Sequence, residues 1–209
     1  MNIRELVKKH GAQKADRDAD YCDAYEKHFS GLRESTARLL EIGVKDGASL
    51  RMWKEYFPNA EIWGLDVDKK CMRYQENRIR IIIGNQGDKW FLGQISSGSV
   101  KDDIIIDDGS HKVSDQWLSF RYLFKTLRPG GLYVIEDLHT SYWPRFGGGI
   151  NNSNMMCGLL DAMHARHWKR NERAKKLSVD QPMTYIEQNI KAMHFYDSIC
   201  FIERKLWLS

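Results

Sequence analysis

The sequence predicts a doubly wound α/β fold, with a mostly parallel sheet that is completed by an antiparallel hairpin. Between about residues 38 and 136, short apolar runs alternate with longer polar stretches of helical period, as in repeated βαβ units. Most of these runs are continuously apolar, which is typical of strands covered on both faces. Two further runs flank a turn near the end of the chain. At 209 residues, a single domain is expected.

Each apolar run predicts one strand. The parallel strands are expected at 39–43, 62–66, 79–83, 104–108 and 132–136, and four of these runs end in an acid or a glycine. The hairpin is predicted from residues 192–196 and 199–202, which flank the dipeptide Asp197-Ser198. It places an antiparallel pair in the sheet.

Two helices are predicted between these strands. Residues 48–57 carry an apolar stripe at helical spacing, and Pro58 ends that helix. Residues 114–127 carry a second, largely aromatic stripe, with Ser114 as the N-cap and Arg-Pro-Gly-Gly at 128–131 as the stop. We expect both stripes to lie in the core.

Two segments lie outside the repeated pattern. Residues 1–34 are predicted to form an N-terminal helical cap, and residues 138–189 an insertion on the substrate side. The insertion begins with an aromatic and glycine-rich loop at 139–149 and continues as a helix from 154 to about 176. Loops of this length inside a compact domain are usually functional or disordered. We treat 1–209 as one domain with these two additions.

Composition argues against several classes of protein. The formal net charge is +4, which is too small to imply nucleic-acid binding by itself. The four cysteines (Cys22, Cys71, Cys157 and Cys200) lie far apart with no C-x-x-C, so we expect core thiols and a reduced, cytoplasmic location. The chain opens with no apolar signal core, and no apolar run approaches the roughly 18 residues of a membrane span.

A glycine-containing turn follows the first predicted strand. Gly43 and Gly47 let the backbone turn sharply and approach a ligand, while N–H groups at the start of the next helix face it. Asp66 ends the second strand, where a carboxylate can accept hydrogen bonds from both ribose hydroxyls of a nucleoside cofactor. A plain βα turn has the same glycines, so this interpretation depends on Asp66. The spacing G-x-x-x-G disfavours a dinucleotide.

Several motifs occur together around these residues. They are Glu-x-Gly-x-x-x-Gly at 41–47, Asp66, Gly-Asn-Gln-Gly-Asp at 84–88, Asp107-Asp108 and Leu-Arg-Pro-Gly-Gly at 127–131. Together they resemble a class I S-adenosylmethionine-dependent methyltransferase over about residues 35–137, and the hairpin fits the last strands of that Rossmann-like fold. The resemblance implies S-adenosylmethionine as cofactor. The cofactor-binding residues it implies are Glu41, Gly43, Gly47, Asp66, Gln86, Asp88, Asp107 and Tyr21.

Acidic residues end the fourth and fifth predicted strands. Asp108 ends the fourth, and Glu136 and Asp137 end the fifth, so parallel pairing brings them to one crevice. Crowded carboxylates repel unless a cation neutralises them, and an all-oxygen set suits Mg²⁺, Mn²⁺ or Ca²⁺ better than zinc. We therefore predict a divalent metal, with Mg²⁺ as the first candidate, at Asp108, Glu136 and Asp137. Helix capping or exposure to water is the alternative.

Further motifs narrow the class. Asp-Gly-Ser-His at 108–111, Ile-Glu-Asp-Leu at 135–138 and the aromatic loop are joined by Gly-Ala-Gln-Lys at 11–14, followed by Tyr21 and Tyr25. This set resembles the metal-dependent sugar O-methyltransferases of the macrocin and mycinamicin type, although glutamine at position 13 replaces the aspartate of that family. The resemblance implies methyl transfer to a sugar hydroxyl. Catechol O-methyltransferases have a similar acid set without this histidine, so an aromatic diol is the alternative acceptor.

His111 is the predicted base, and Asp108 joins it in the catalytic set. A sugar hydroxyl has a very high pKa, so a metal and a base of near-neutral pKa would both assist its attack. His111 could instead only cap the next helix. On the acceptor side we expect His139, Tyr142 and Trp143 to contact substrate, because aromatic faces stack on pyranose rings. Packing against the end of the sheet is the alternative for this loop.

The expected partner is a carbohydrate-containing small molecule or glycan. The basic segment 166–176 is expected to be a solvated helix face, with an acidic glycan, a nucleotide-linked sugar or RNA as alternatives. We expect no nucleic-acid partner and leave a homo-oligomer open. A non-catalytic cofactor-binding protein and an RNA-modifying enzyme are the remaining rival functions.

Overall fold

The computed structural model describes residues 1–15, 20–150, 155–169 and 184–206. Within these ranges, seven strands form one sheet: β1 (Arg38–Ile42), β2 (Glu61–Asp66), β3 (Ile79–Ile83), β4 (Asp102–Asp107), β5 (Leu127–Ile135), β6 (Ile190–Tyr196) and β7 (Ile199–Arg204). Their order is β3-β2-β1-β4-β5-β7-β6. The pairs among β1 to β5 are parallel, and β7 is antiparallel to both β5 and β6. The predicted fold class is confirmed.

Helices cover both faces of the sheet. They are α1 (Ile3–His10), α2 (Cys22–Phe29), α3 (Ala48–Tyr56), α4 (Lys89–Ser97), α5 (Val113–Leu123), α6 (Met155–Trp168) and α7 (Tyr185–Asn189). One buried cluster joins α1, α2 and α3 to the sheet, and its largest side chain is that of Trp53. A second joins α4, α5, α6 and α7 to the other face. Neighbouring strand residues such as Leu39 and Leu40 belong to opposite clusters, so each strand is covered twice.

The sheet reverses its direction of growth between β1 and β4. From β1 the chain proceeds outward to β2 and β3, and from β4 it proceeds the other way to β5. The helices that follow these two strands, α3 and α5, therefore pack on opposite faces of the sheet, and α/β proteins bind their ligands in the crevice at this point. This is the end of the sheet at which Gly43 and Asp108 follow β1 and β4.

The prediction for the start of the helix at 114–127 is wrong. The helix begins at Val113, and the residue at its N-cap is Lys112, which makes no side-chain capping bond. Ser114 lies inside the first turn, where its hydroxyl donates to Asp115 Oδ1 at 3.0 Å. A local side-chain partner has replaced the expected capping interaction.

The end of the same helix also differs from the prediction. It ends at Leu123 and is followed by a 3₁₀ turn at Phe124–Thr126. Residues 128–131 lie inside β5 and do not form a stop before it. The reason is tertiary: Leu127 pairs with Asp102 of β4, and this pairing extends the strand across the Pro-Gly-Gly sequence.

Other local predictions have mixed outcomes. Two separate helices, α1 and α2, lie within the predicted cap, and α6 occupies the first part of the predicted helix at 154–176. Most of the basic segment lies outside the described residues.

Three cysteines are buried as expected, but Cys157 is exposed on α6, so its assignment to the core is wrong. In the described part of the chain, no helix is long and apolar enough to cross a bilayer.

Candidate active site

A cavity of about 540 Å³ lies at the carboxyl ends of the central strands. One wall is formed by the β1–α3 turn and the end of β2, and the opposite wall by the loops after β4 and β5. The loop after β3 and part of the N-terminal cap complete it. The lining residues with predicted roles are Tyr21, Gly43, Asp66, Gln86, Asp108, His111, Glu136 and Asp137.

The β1–α3 turn lies directly against the loop that follows β4. Gly43 has a φ of 95°, which favours glycine, and a Cβ there would lie 2.1 Å from the carbonyl oxygen of Asp108. Gly47 precedes α3 with a φ of 71°. Gly43 therefore allows two backbone segments, one from each side of the cavity, to meet without a side chain between them.

Asp66 is fixed at the end of β2 by backbone donors. Its Oδ2 accepts from Val44 N at 2.8 Å and from Lys45 N at 3.2 Å, and its Oδ1 accepts from Asp68 N at 2.8 Å. Burial by itself would raise the pKa of Asp66, but these hydrogen bonds outweigh it and the pKa lies below its usual value. The site therefore presents a fixed negative charge to the cavity.

A buried lysine lies among the acids on the other side. Lys14 Nζ is 2.6 Å from Asp108 Oδ2, 2.6 Å from Glu136 Oε1 and 2.9 Å from Glu41 Oε1. Burial opposes the charge on Lys14, but the three carboxylates outweigh it and hold its pKa well above the usual value. Glu41 is itself buried and lies beneath the cavity without lining it.

Two tyrosines of the cap hold the acids that follow β5. Tyr21 donates its hydroxyl to Asp137 Oδ1 at 2.7 Å, and Tyr25 donates to Glu136 Oε1. Burial raises the pKa of Tyr21, and the charge of Asp137 raises it further, so the phenol stays a donor. Together with Lys14, the cap contacts each of the three acids predicted to bind metal.

His111 lies beside Asp137, with its Nε2 3.4 Å from Asp137 Oδ2. Both residues have positive φ, 57° and 54°, in the region that non-glycine residues rarely adopt. His111 Nδ1 is buried and has no hydrogen-bond partner within the described ranges. The nitrogen that faces the acids is therefore Nε2.

The three side chains predicted to bind metal are divided between two groups of possible ligands that share Asp108. Ligand atoms of Asp108, His111 and Asp137 all lie within 4.8 Å of one another, and the same holds for Glu41, Asp108 and Glu136. The second group already surrounds Lys14 Nζ. The first is the group open to the cavity, and its two carboxylates and imidazole are ligands that a divalent cation accepts. Glu136 lines the cavity beside this group.

Gln86 joins the loop after β3 to the loop after β4. Its Nε2 donates to Asp107 at 3.0 Å, and its Oε1 accepts from Ser110 N at 2.7 Å. Burial raises the pKa of Asp107 to about 6, against the effect of hydrogen bonds from Ser119 and Gln86. Gln86 lines the cavity, whereas Asp107 lies below it and orients Gln86.

Four predicted cofactor residues are placed away from the cavity surface. Glu41 and Asp107 lie beneath it, and Gly47 shapes the turn without lining it. Asp88 is the N-cap of α4, where it accepts from the N–H groups of Trp90 and Phe91. The structure therefore gives Asp88 a capping role and does not bring it to the cavity.

The predicted substrate residues, His139, Tyr142 and Trp143, lie on the loop that follows β5. Tyr142 and Trp143 are 46% and 40% exposed. The ring of Trp143 lies 4.7 Å from that of His139 and 6.0 Å from that of Phe146, and the Phe146 ring is 6.4 Å from His111. His139, Tyr142 and Trp143 do not line the cavity itself, but the ring contacts through Phe146 connect Trp143 and His139 to His111, which does.

The chain is similar in sequence and in structure to known O-methyltransferases. It is 38% identical over 194 residues to mycinamicin VI 2''-O-methyltransferase of Micromonospora griseorubida, covering 86% of this chain and 47% of that protein. It is also 34% identical over 212 residues to 8-demethyl-8-alpha-L-rhamnosyl tetracenomycin-C 2'-O-methyltransferase of Streptomyces olivaceus. That match covers 96% of this chain and 54% of that protein. The structure matches MycE methyltransferase, which was solved with Mg, S-adenosylhomocysteine (SAH) and mycinamycin VI. The TM-score is 0.87, and the sequence identity is 35% over 99% of this chain and 54% of MycE.

The chain is a homologue of the macrocin- and mycinamicin-type sugar O-methyltransferases. Its sheet is the Rossmann-like methyltransferase sheet found in MycE. The chain spans about half the length of the curated relatives it matches. No protein-family model matches it.

The sequence of this sugar O-methyltransferase homologue did not single out two residues of the site. Lys14 belongs to the motif at 11–14, and the signal that could have singled it out is its position in a motif that resembles the family's. Phe146 belongs to the aromatic loop expected to face the sugar, but the sequence gives it no individual contact. In both cases the contact that matters is with a residue far away in the chain, Glu136 for Lys14 and His111 for Phe146.

Proposed function

We propose that the chain is an S-adenosylmethionine-dependent, metal-assisted O-methyltransferase that acts on a sugar hydroxyl of a glycan or glycosylated small molecule. One observation carries the proposal: a single cavity has Asp66 and Gly43 on one wall and the group Asp108, His111 and Asp137 on the other. The first wall fits a nucleoside cofactor, and the second fits a cation and a proton acceptor.

The cofactor wall would hold S-adenosylmethionine by its ribose. Oδ1 of Asp66 accepts only one of the three backbone N–H bonds and can accept a ribose hydroxyl as well, and Gly43 allows close approach of the backbone. Gln86 is held in place by Asp107 and lines the cavity on the side of the β3 loop. Relatives support this assignment, because MycE was crystallised with SAH, the product that methyl transfer would leave.

The metal site would use Asp108 and Asp137, with Glu136 beside them. Oxygen-rich ligand sets of this kind suit Mg²⁺ and Mn²⁺, and MycE was solved with Mg. A divalent cation, when bound, supplies positive charge that favours ionisation of a nearby hydroxyl. We propose these residues as ligands on their donor chemistry and on their position at the cavity.

His111 is the proposed base. Its Nε2 lies 3.4 Å from Asp137 Oδ2 at the cavity, where the imidazole could take the proton that the acceptor hydroxyl gives up. Tyr21 holds the other oxygen of Asp137 and so keeps that carboxylate oriented. Much of the rate enhancement would come from holding the two reactants in line.

The aromatic loop would bind the acceptor. Trp143 and Phe146 form a partly exposed ring surface with the guanidinium of Arg145 over both rings, at 4.6 and 4.9 Å from their centroids. Such a surface can stack on the C–H face of a pyranose and direct a hydroxyl toward His111. His139 and Tyr142 flank this surface and are the further candidates for acceptor contact. Relatives named as O-methyltransferases of mycinamicin VI and of a rhamnosyl tetracenomycin favour this acceptor class.

The test is a screen for SAH release. Glycosides, nucleotide sugars and catechols would be supplied with S-adenosylmethionine, with Mg²⁺ or with a chelator, and Asp108→Asn would serve as the inactive comparison. We expect Mg²⁺-dependent release with at least one glycoside. Release with catechol alone would favour the aromatic-diol alternative. Tight SAH binding without turnover on any acceptor would favour a non-catalytic binding protein.

We further propose that 1–209 acts as a single domain, with 1–34 as the cap and 138–189 as the substrate-side insertion. Lys14 and Tyr21 support this view of the cap, because both line the cavity. Protection of the cap from proteolysis by SAH would test it. A cytoplasmic location remains a prediction from the spacing of the cysteines, and a homo-oligomer is a prediction for measurement of mass in solution.

A further inference from the structure

Lys14 has an unusual environment for a lysine. Its side chain is 1% exposed, and its ammonium contacts carboxylates that follow or end three different strands: Glu41 in β1, Asp108 after β4 and Glu136 after β5. The lysine itself belongs to the segment between α1 and α2. One side chain from the cap therefore joins three strands at the centre of the sheet.

The backbone around Lys14 is also held in place. Its carbonyl oxygen accepts from Tyr21 N at 3.0 Å and from the thiol of Cys22. Tyr21, at the N-cap of α2, donates its hydroxyl to Asp137, and Tyr25, within α2, donates to Glu136. The backbone at Lys14 is thus hydrogen-bonded to the start of α2, and its side chain is buried and not a freely rotating surface group.

Charge balance explains why a cation is needed there. Buried carboxylates that lie close together destabilise the folded state unless an opposite charge compensates them. In the described part of the chain, Lys14 is the cation in contact with Glu41, Asp108 and Glu136. Asp108 is shared, because it also belongs to the group with His111 and Asp137 that would take a divalent cation.

We propose that Lys14 is a built-in cation that holds the acid cluster together in the absence of metal and lowers the affinity of the neighbouring site for a divalent cation. The proposal rests on the metal part of the proposed function. Lys14 is a positioning residue, because it acts on Asp108 and Glu136 and not on the reacting atoms. Its ammonium competes electrostatically with a second cation for Asp108, so the metal would bind reversibly and not as a permanent structural ion.

The first test is stability in the presence of a chelator. Lys14→Met keeps most of the side-chain volume and removes the charge, and Lys45→Met is the matched control, since Lys45 lines the same cavity but is exposed and bonded to Gln13. Removing one partner from buried ion pairs should lower the melting temperature of the Lys14 variant by about 10 °C. The control should change little.

The second test is binding of Mn²⁺ alone, followed by electron paramagnetic resonance of the free ion. Losing one positive charge beside Asp108 should make Mn²⁺ bind about tenfold more tightly to Lys14→Met than to the unmodified protein. Mn²⁺ should also restore more of the melting temperature in the variant than it adds to the unmodified protein. Lys45→Met should show neither effect.

A double variant keeps the test valid if Lys14→Met folds poorly. Lys14→Met with Glu136→Gln removes one negative charge together with the lysine and retains an acceptor for Tyr25. In the presence of a chelator, its melting temperature should be higher than that of Lys14→Met, because the acid cluster then carries less uncompensated negative charge.

The outcomes separate this proposal from the proposed function. If the Lys14 variant melts like the unmodified protein in chelator, or binds Mn²⁺ no more tightly, the proposal is wrong. If the unmodified protein binds no Mn²⁺ but the variant does, Lys14 has the proposed role while the metal part of the proposed function fails.

Discussion

Replacing Gly43 with alanine should disrupt the site more than any other single methyl addition to the β1–α3 turn. The new Cβ would lie 2.1 Å from the carbonyl oxygen of Asp108 and 2.8 Å from its carbonyl carbon, against 3.4–4 Å for ordinary contact. The obstructing atoms are backbone at the end of β4, so no side-chain rotation can relieve the overlap. One of the two loops must move away from the cavity.

The magnitude follows from two separate costs. A positive φ at a residue with a Cβ costs about 1–2 kcal/mol, and forcing extra volume into a packed region costs about 1–3 kcal/mol. We expect a total of about 3–4 kcal/mol. For a protein of this size this corresponds to a melting temperature about 10 °C lower.

A matched control separates the two costs. Gly11 also has a positive φ, 68°, but a Cβ there would meet nothing within 4 Å. Gly11→Ala should therefore show only the conformational cost, a decrease of about 3–5 °C. Thermal melting of both variants and calorimetry of SAH binding would measure the effects. If Gly43→Ala melts within about 2 °C of Gly11→Ala and binds SAH normally, the close approach of the two loops is not a requirement of the site.

Three further predictions concern single side chains. His111→Ala should lower kcat by about 10²- to 10⁴-fold with little change in melting temperature. His10 lies outside the cavity, so His10→Ala is the control. Normal turnover by His111→Ala would reject the assignment of His111 as the base. Asp66→Ala should weaken SAH binding by about 10²-fold or more, measured by calorimetry, through loss of charge-assisted bonds, whereas Asp68→Ala should not. Asp107→Asn tests pH dependence. Burial raises the pKa of Asp107 to about 6, so between about pH 4 and 6 the folded protein holds a proton that the unfolded chain has lost. The free energy of unfolding of the unmodified protein therefore falls as pH rises through that window. The asparagine variant should lack this fall and gain up to about 2–3 kcal/mol relative to the unmodified protein by pH 7; a melting difference that does not change with pH would contradict this.

The parallel strands could be predicted because their signal is local. The runs at 104–108 and 132–136 are continuously apolar up to the acids that end them, and burial on both faces leaves that pattern whatever the neighbours are. The boundary between α5 and β5 could not be predicted from a local signal. Pro-Gly-Gly at 129–131 is a local breaker, but pairing of Leu127 with Asp102, 25 residues earlier, extends the strand across it.

The acid cluster was predictable from topology in the same way. Parallel strands bring their carboxyl ends together, so Asp108, Glu136 and Asp137 had to lie near one another once the order of strands was right. What each acid contacts was not predictable. Asp88 occurs in a suitable motif, yet its carboxylate satisfies the N-terminal N–H groups of α4, because local capping partners were closer than the cavity.

The sequence by itself determined the sheet, its hairpin, the end of the sheet that carries the site and the acids and histidine placed there, because all of these follow from periodicity and from residues at strand ends. Only the tertiary structure decided how those charges are compensated. Lys14 meets Asp108 and Glu136 across 94 and 122 residues of chain, and Phe146 approaches His111 from a loop after another strand. Contacts of this range depend on where the cap and the loop pack against the sheet, and no local pattern of residue types encodes that placement.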